Sequence, residues 1–212
     1  MPYRVLIVDD QQIPRQLFEN TVVSSARYTL TAALDSAALA DAWCAAGQVD
    51  LIIMDVVMDD GPTGLEAARR IKRSYPQVKI IVVTSLPDAL FLARARSFGV
   101  DSFWYKELQS APLLEVMDRT MAGERVWPEH PPRKQLGLAD SSEFTDREME
   151  VLRLLSKGLT DREICEQLHL SFNTVRDHVD NLMLKTGQSS RTGLAVLAVM
   201  SGVIFPGIDA RE

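Results

Sequence analysis

The sequence predicts two domains of different class: an α/β domain with a doubly wound sheet of five parallel strands, then a small all-α domain of four helices. Three observations predict this. Five short apolar runs alternate with amphipathic stretches over the first 121 residues, prolines break the pattern after Gly123, and two threonine–glutamate pairs at capping spacing open helices after Phe144. At 212 residues the chain is long for one hydrophobic core and comfortable for two.

The apolar runs fall at 5–8, 30–34, 51–54, 80–83 and 103–105. Most are apolar throughout, the pattern of strands covered on both faces. Helical periodicity fills the gaps at 13–24, 37–46, 65–74, 88–98 and 112–121. Five such βα units with right-handed crossovers give a flavodoxin-like fold over residues 1–122. Residues 123–143 hold Pro128, Pro131 and Pro132 with few aliphatics, and read as a tether in which Trp127 anchors against one domain. The helical domain spans 144–204, and 205–212 form a tail.

Composition bounds the function. An apolar share of 46% with 25% charged residues excludes a disordered or fibrous chain. A net charge of −6 supplies no global pull on nucleic acid, so DNA binding must come from a local patch. Cys44 and Cys165 stand apart with no ligand spacing and read as reduced thiols. The first apolar run is too short for a signal peptide or membrane span, which points to a cytoplasmic protein with no membrane partner.

In a doubly wound sheet, ligands bind beyond the carboxyl ends of the strands. Those ends carry Asp9 and Asp10, Asp55, Thr84 with Ser85, and Lys106. Clustered carboxylates raise one another's pKa unless a cation joins them, and Mg²⁺ suits carboxylate oxygens that also bridge to phosphate. Asp9, Asp10 and Asp55 are therefore the expected metal ligands. Asp55 is the candidate nucleophile toward a phosphoryl group, Lys106 the counter-charge and Thr84 a hydrogen-bond donor. A phosphatase of the aspartyl-phosphate type would want a second acid two residues on, where Val57 stands, so an enzyme is not expected.

These residues, with Val8-Asp9-Asp10, Met54-Asp55, Met58, Gly64-Leu65-Glu66-Ala67, Val83-Thr84-Ser85 and Phe103-Trp104-Tyr105-Lys106, resemble the receiver domains of two-component response regulators. The resemblance implies that Asp55 takes its phosphoryl group from a sensor histidine kinase. It also implies that Phe103 is an aromatic switch that turns inward when the threonine moves toward the phosphate. The chain departs from the family after Asp55: Asp59 and Asp60 add two acids, and Pro62-Thr63 delays Gly64 by one residue.

In the second half, Thr145–Glu148 and Thr160–Glu163 are capping boxes that announce two helices. A third runs over 172–186 with Val175, Val179 and Leu182 as its buried stripe, and a fourth over 192–201. Three or four residues separate the second and third, the spacing of a helix-turn-helix. Ser171 caps the third helix with no glutamate to close a box, leaving amides for a phosphate. Asn173, Arg176, Asp177 and Asp180 point outward.

Residues from Phe144 to about Val199 resemble the LuxR-type domain of the NarL and FixJ class. The resemblance rests on Thr145-Asp146-Arg147-Glu148, Gly158-Leu159-Thr160, Glu163-Ile164, Thr174-Val175-Arg176, His178-Val179, Asn181-Leu182, Lys185 and Ser190-Arg191. It implies that the third helix enters the major groove of double-stranded DNA, with Thr174 among its contact residues. It further implies that Ser171 and Lys185 meet phosphates and that the fourth helix mediates dimerisation. Yet seven basic residues face eight acidic ones between Phe144 and Met200, and Arg176 has Asp180 at pairing distance along the helix. Two readings follow: a phosphorylation-controlled transcription regulator that dimerises on activation, or a receiver-controlled adaptor whose acidic helical domain binds a protein.

Overall fold

The computed structural model of the chain describes residues 1–58, 63–87, 89–106 and 112–204. It divides into two compact units, one of Met1–Ser85 with Ala89–His130 and one running on from Pro131.

In the first unit, strands β1 (Tyr3–Val8), β2 (Tyr28–Leu34), β3 (Leu51–Asp55), β4 (Lys79–Thr84) and β5 (Ser102–Tyr105) form one sheet. Its order is β2-β1-β3-β4-β5 and every pairing is parallel. The strand order turns at β1, whose neighbours are β2 and β3, so the crevice expected of such a sheet opens beyond the ends of β1 and β3.

Helices α1 (Gln12–Val23), α2 (Ala40–Ala45), α3 (Gly64–Ser74) and α4 (Ala89–Ser97) supply the four crossovers, and α5 (Leu113–Met121) follows the last strand. The helix expected over 37–46 begins as a 3-10 turn, Ala37–Leu39, because Ser36 caps it by accepting from the Ala38 amide. Phe18 and Val22 of α1 and Val116 and Met117 of α5 cover one sheet face, on Val5, Ile7, Leu51, Ile53, Ile81 and Val83. The alternate residues Leu6, Val8, Ile52, Met54, Ile80 and Val82 are equally buried and face the other way. Continuous apolar strands are the consequence of two covered faces.

In the second unit, α6 (Asp146–Ser156), α7 (Asp161–Leu168), α8 (Phe172–Thr186) and α9 (Arg191–Met200) enclose Val151, Leu152, Ile164, Val175, Val179, Leu182 and Leu194. Both expected capping boxes form: Thr145 and Thr160 accept from the amides of Glu148 and Glu163, whose carboxylates reach back. A small hairpin of β6 (Gln135–Leu136) and β7 (Ala139–Asp140) adds to the four expected helices.

The tether is correspondingly narrower than residues 123–143. Val126 and Trp127 lie on the first unit, where Phe103 donates to the Val126 carbonyl and Trp127 stacks on Phe103. Leu136 and Ala139 are buried in the core of the second. The prolines interrupt only the middle of the stretch. Gly137, at φ +64°, turns the hairpin so close to α8 that an added Cβ would lie 2.1 Å from the Thr186 carbonyl oxygen. Leu138 then donates to that oxygen and closes the end of α8. The tail after Ile204, with Asp59, Asp60 and Pro62, lies outside the described residues.

Candidate functional site

β1 and β3 deliver Asp9, Asp10 and Asp55 to one place. Each offers a carboxylate oxygen, and the three oxygens lie within 4.8 Å of one another. β5 brings Lys106 to the same cleft, its Nζ 2.7 Å from Asp9 Oδ2 and 3.1 Å from Asp55 Oδ2. The four groups that the strand ends suggested thus meet. Asp9 and Asp55 are buried, and the Phe18 ring stands 5.8 Å from the Lys106 ammonium. Solvent screening is accordingly weak here.

Local bonds hold these groups in place. Asp55 Oδ1 accepts from the Val56 amide at 2.8 Å, and Asp9 Oδ1 from the Gln11 amide at 3.0 Å. Two positioning features escape a reading by strand ends. Arg15, one turn into α1, donates to the Asp9 carbonyl at 2.7 Å and so fixes the loop that carries the acids. Gly64 opens α3 against the Asp55 backbone, where an added Cβ would sit 1.6 Å from the Asp55 carbonyl oxygen. The capping box of Thr63 and Glu66 sets that helix start, and its Thr-x-x-Glu spacing was visible in the sequence.

Burial is the main cause that pushes the Asp55 carboxyl up to about 7; Lys106 pulls it down, while the Asp9 charge pushes it further up. Asp9, Asp10 and Asp55 together offer an all-oxygen set of donors. A hard divalent cation takes such oxygen ligands and would lower the repulsion between neighbouring carboxylates, and the residues present fit Mg²⁺ on that ground.

Thr84 ends β4, buried, opposite Tyr105 in the β4–β5 register, and its carbonyl accepts from the Lys106 amide at 2.9 Å. Strand alternation places the Thr84, Tyr105 and Phe103 side chains on one sheet face. Phe103 is 1% exposed and meets Tyr105 edge-on at 5.0 Å between centroids. Its other neighbour is Trp127, stacked at 6.1 Å. The ring therefore lies inside in this structure, with the indole covering it.

In the second unit, α8 shows an exposed stripe of Asn173, Arg176, Asp177 and Asp180 with Phe172 and Leu184. Ser171 caps the helix, its Oγ accepting from the Thr174 amide and bonding the Thr174 hydroxyl at 2.8 Å. Among the described residues no ion pair joins Arg176 to Asp180, so the expected pairing is not made and Arg176 stays available. Lys185 is placed differently from the expectation. Its ammonium donates to both Glu148 carboxylate oxygens, at 2.8 and 2.9 Å, and to the Glu143 carbonyl. Burial raises the Glu148 pKa, but the Lys185 and Thr145 hydrogen bonds outweigh it and hold the carboxyl below its ordinary value. These partners commit Lys185 to joining α8 to α6. Arg191 likewise pairs with Asp161 and ties α9 to the start of α7.

Comparison with known proteins follows this division. A family model described as the response regulator receiver domain matches residues 5–118, and one for bacterial regulatory proteins of the luxR family matches residues 142–198. The chain is 31% identical over 211 residues to the response regulator protein VraR of Staphylococcus epidermidis, covering 96% of this chain and 100% of that protein. VraR of Staphylococcus aureus is 31% identical over 209 residues, with the same coverage. Among solved structures, an RcsB–DNA complex aligns with a TM-score of 0.62 at 19% identity, over 94% of this chain and 98% of that one. RcsB of Salmonella enterica serovar Typhimurium, bound to promoter rprA in the presence of phosphomimetic BeF3-, aligns at 0.60 and 21%, over 95% and 99%. At these identities the structural likeness carries the fold.

Proposed function

Because the chain belongs to the response regulators, joining a receiver domain to a luxR-family DNA-binding domain, we propose that a sensor histidine kinase controls its DNA binding through Asp55. The supporting observation is the meeting of Lys106 with Asp9 and Asp55 in one buried acidic cleft.

An Asp55 carboxylate oxygen attacks the phosphorus of a phosphohistidine. The P–N bond breaks, its electron pair returns to the imidazole, which takes up a proton, and an acyl phosphate remains on Asp55. Lys106 offers a positive charge to the phosphoryl oxygens, and the Thr84 hydroxyl donates to one of them. Asp9, Asp10 and Asp55 would hold Mg²⁺, which when bound neutralises phosphoryl charge. With the receiver in its phosphorylated form, two copies associate, with the exposed Val196, Val199 and Met200 of α9 available for the interface. Two α8 helices then reach adjacent half-sites of double-stranded DNA. Ser171 and the free amides after it take a phosphate, while Asn173, Thr174, Arg176, Asp177 and Asp180 face base edges. Lys185, whose ammonium is engaged by Glu143 and Glu148, joins α8 to α6 in this reading, and a phosphate contact would have to compete with those bonds. We assign the protein to the cytoplasm, where kinase and DNA are both at hand; no helix among the described residues is long and apolar enough to cross a membrane.

The test is phosphorylation by a small acyl phosphate with Mg²⁺, mapped by peptide mass spectrometry, followed by dimer mass and DNA affinity. A phosphoryl group on Asp55 that raises both is expected. A phosphorylated protein with neither changed would overturn the reading.

A second reading has one observation in its favour: the exposed face of α8 carries two acids and exposed Phe172 and Leu184. Such a face suits a protein partner, with the receiver controlling an adaptor. Failure to enrich any sequence from a random DNA pool at low salt would favour it.

A further inference from the structure

The chain that leaves α5 turns back along the free edge of the sheet. Gly123 takes φ +92°. Phe103 N–H then donates to the Val126 carbonyl at 2.9 Å, and Val126 N–H donates to Ser102 Oγ at 3.1 Å. Ser102 Oγ also bonds Thr120 Oγ1 of α5 at 2.7 Å. The next residue, Trp127, lays its indole on Phe103 with the ring planes 24° apart, and the Arg96 guanidinium of α4 stands 5.0 Å from the indole centroid. The first residues of the tether are thus strapped to β5 by one backbone bond, one bond from backbone to the Ser102 hydroxyl and one ring stack, with a cation from α4 over the indole.

The strap meets the residue that faces the site. Thr84, Tyr105 and Phe103 share a sheet face, and Tyr105 precedes Lys106. Phe103 is buried between the Tyr105 edge and the Trp127 indole, so a Phe103 ring that moves shifts what covers it. Because Phe103 is already buried, its movement alters the seat of Trp127 before it alters the receiver surface.

We propose that Trp127 is a clasp: it holds the start of the tether on the receiver, and phosphoryl chemistry at Asp55 releases it through Thr84, Tyr105 and Phe103. This rests on the reading of Asp55 as phosphoacceptor. Trp127 acts through Phe103 and is a positioning residue, not part of the chemistry. The signal that leaves the receiver is then the freedom of residues 124–130, set by the occupancy of a cleft at the sheet's carboxyl edge.

Limited trypsin digestion of the full chain tests this, timed at the exposed Arg125 inside the strap, with and without beryllofluoride and Mg²⁺ as the phosphoryl mimic. Fluorine NMR of the bound mimic, absent with Asp55→Asn, reports occupancy independently. Cleavage after Arg125 is expected to quicken about tenfold on occupancy, the scale set by breaking one ring stack together with one cation–π interaction. Trp127→Ala should be fast in both states, and Trp127→Phe should keep the response. Should Trp127→Ala fail to fold, Arg96→Ala, which removes only the cation, should show faster cleavage without the mimic and a reduced response. Bound mimic with an unchanged rate at Arg125 would overturn the clasp and leave the receiver reading standing. No bound mimic at all would bring down both.

Discussion

The Lys106 ammonium stands 3.1 Å from Asp55 Oδ2, yet Asp55 titrates near 7, because burial outweighs one shared cation. A carboxyl raised from 3.8 to about 7 is ionised in the unfolded chain across that window while the folded chain keeps its proton. Stability of the metal-free receiver therefore falls as pH rises from about 4 to 7, by roughly 4 kcal/mol if Asp55 alone is counted. Urea unfolding of the receiver transition at pH 5 and pH 8 checks this. Asp55→Asn should flatten the slope, and Mg²⁺ at pH 8 should stabilise the wild type while leaving the variant nearly unchanged.

Gly64 makes the close approach of α3 to Asp55 possible. In Gly64→Ala the methyl would meet the Asp55 carbonyl oxygen at 1.6 Å, so backbone must move. A loss of about 3 kcal/mol is expected, with phosphorylation at Asp55 falling alongside. Gly99→Ala is the control: its φ of +76° makes a side chain strained, but nothing lies within 4 Å of the added Cβ. It should cost only about 1–2 kcal/mol and leave phosphorylation alone. Equal effects of the two would contradict the close-approach argument.

The cleft was legible because its members end apolar runs: Asp9, Asp55, Thr84 and Lys106 each follow a strand that both faces bury, and parallel topology then forces them to one edge. Arg15 was not legible, since its bond to the Asp9 carbonyl depends on a loop conformation that residue types do not record. The hairpin of Leu136 and Ala139 was missed for another reason. Two-residue strands are too short to show alternation, and the neighbouring prolines suggested a tether, although a glycine between apolar residues was the available signal. The bond of Lys185 to Glu148 was not legible, because the two lie 37 residues apart and on different helices. Trp127 was visible as an anchor, but only the structure chose the domain.

Lys185→Met separates two roles. If Lys185 met a phosphate, its removal would lower the salt slope of DNA binding by about one, with stability intact. As the partner of a buried Glu148, its removal strands a carboxylate, and the second unit should lose about 3 kcal/mol with the salt slope nearly unchanged. The pH dependence has a definite sign. Glu148 is held below its ordinary value, so it stabilises the fold above that value, and this stability drains away as pH falls through the depressed pKa. In Lys185→Met the loss should begin at higher pH. Thermal unfolding against pH, alongside binding against salt, reads both.

The acids on α8 make a last prediction about sequence choice. Asp177 and Asp180 are exposed, and neither forms an ion pair among the described residues, so each would enter a groove walled by phosphates with its full charge. Only a base-edge donor can offset that. In the major groove the donors are the amino groups of cytosine and adenine, and adenine sets an acceptor beside its own, which repels a second carboxylate oxygen. Arg176 on the same stripe favours guanine. Half-sites selected from a random pool should therefore hold cytosine at the positions these acids read, close to a guanine. Asp177→Ala and Asp180→Ala should each lose about 1–3 kcal/mol of discrimination at one base pair while binding random duplex more tightly, because a repelling charge has gone. Variants that weaken all sequences alike, with base preference retained, would show that the acids hold the helix and read nothing.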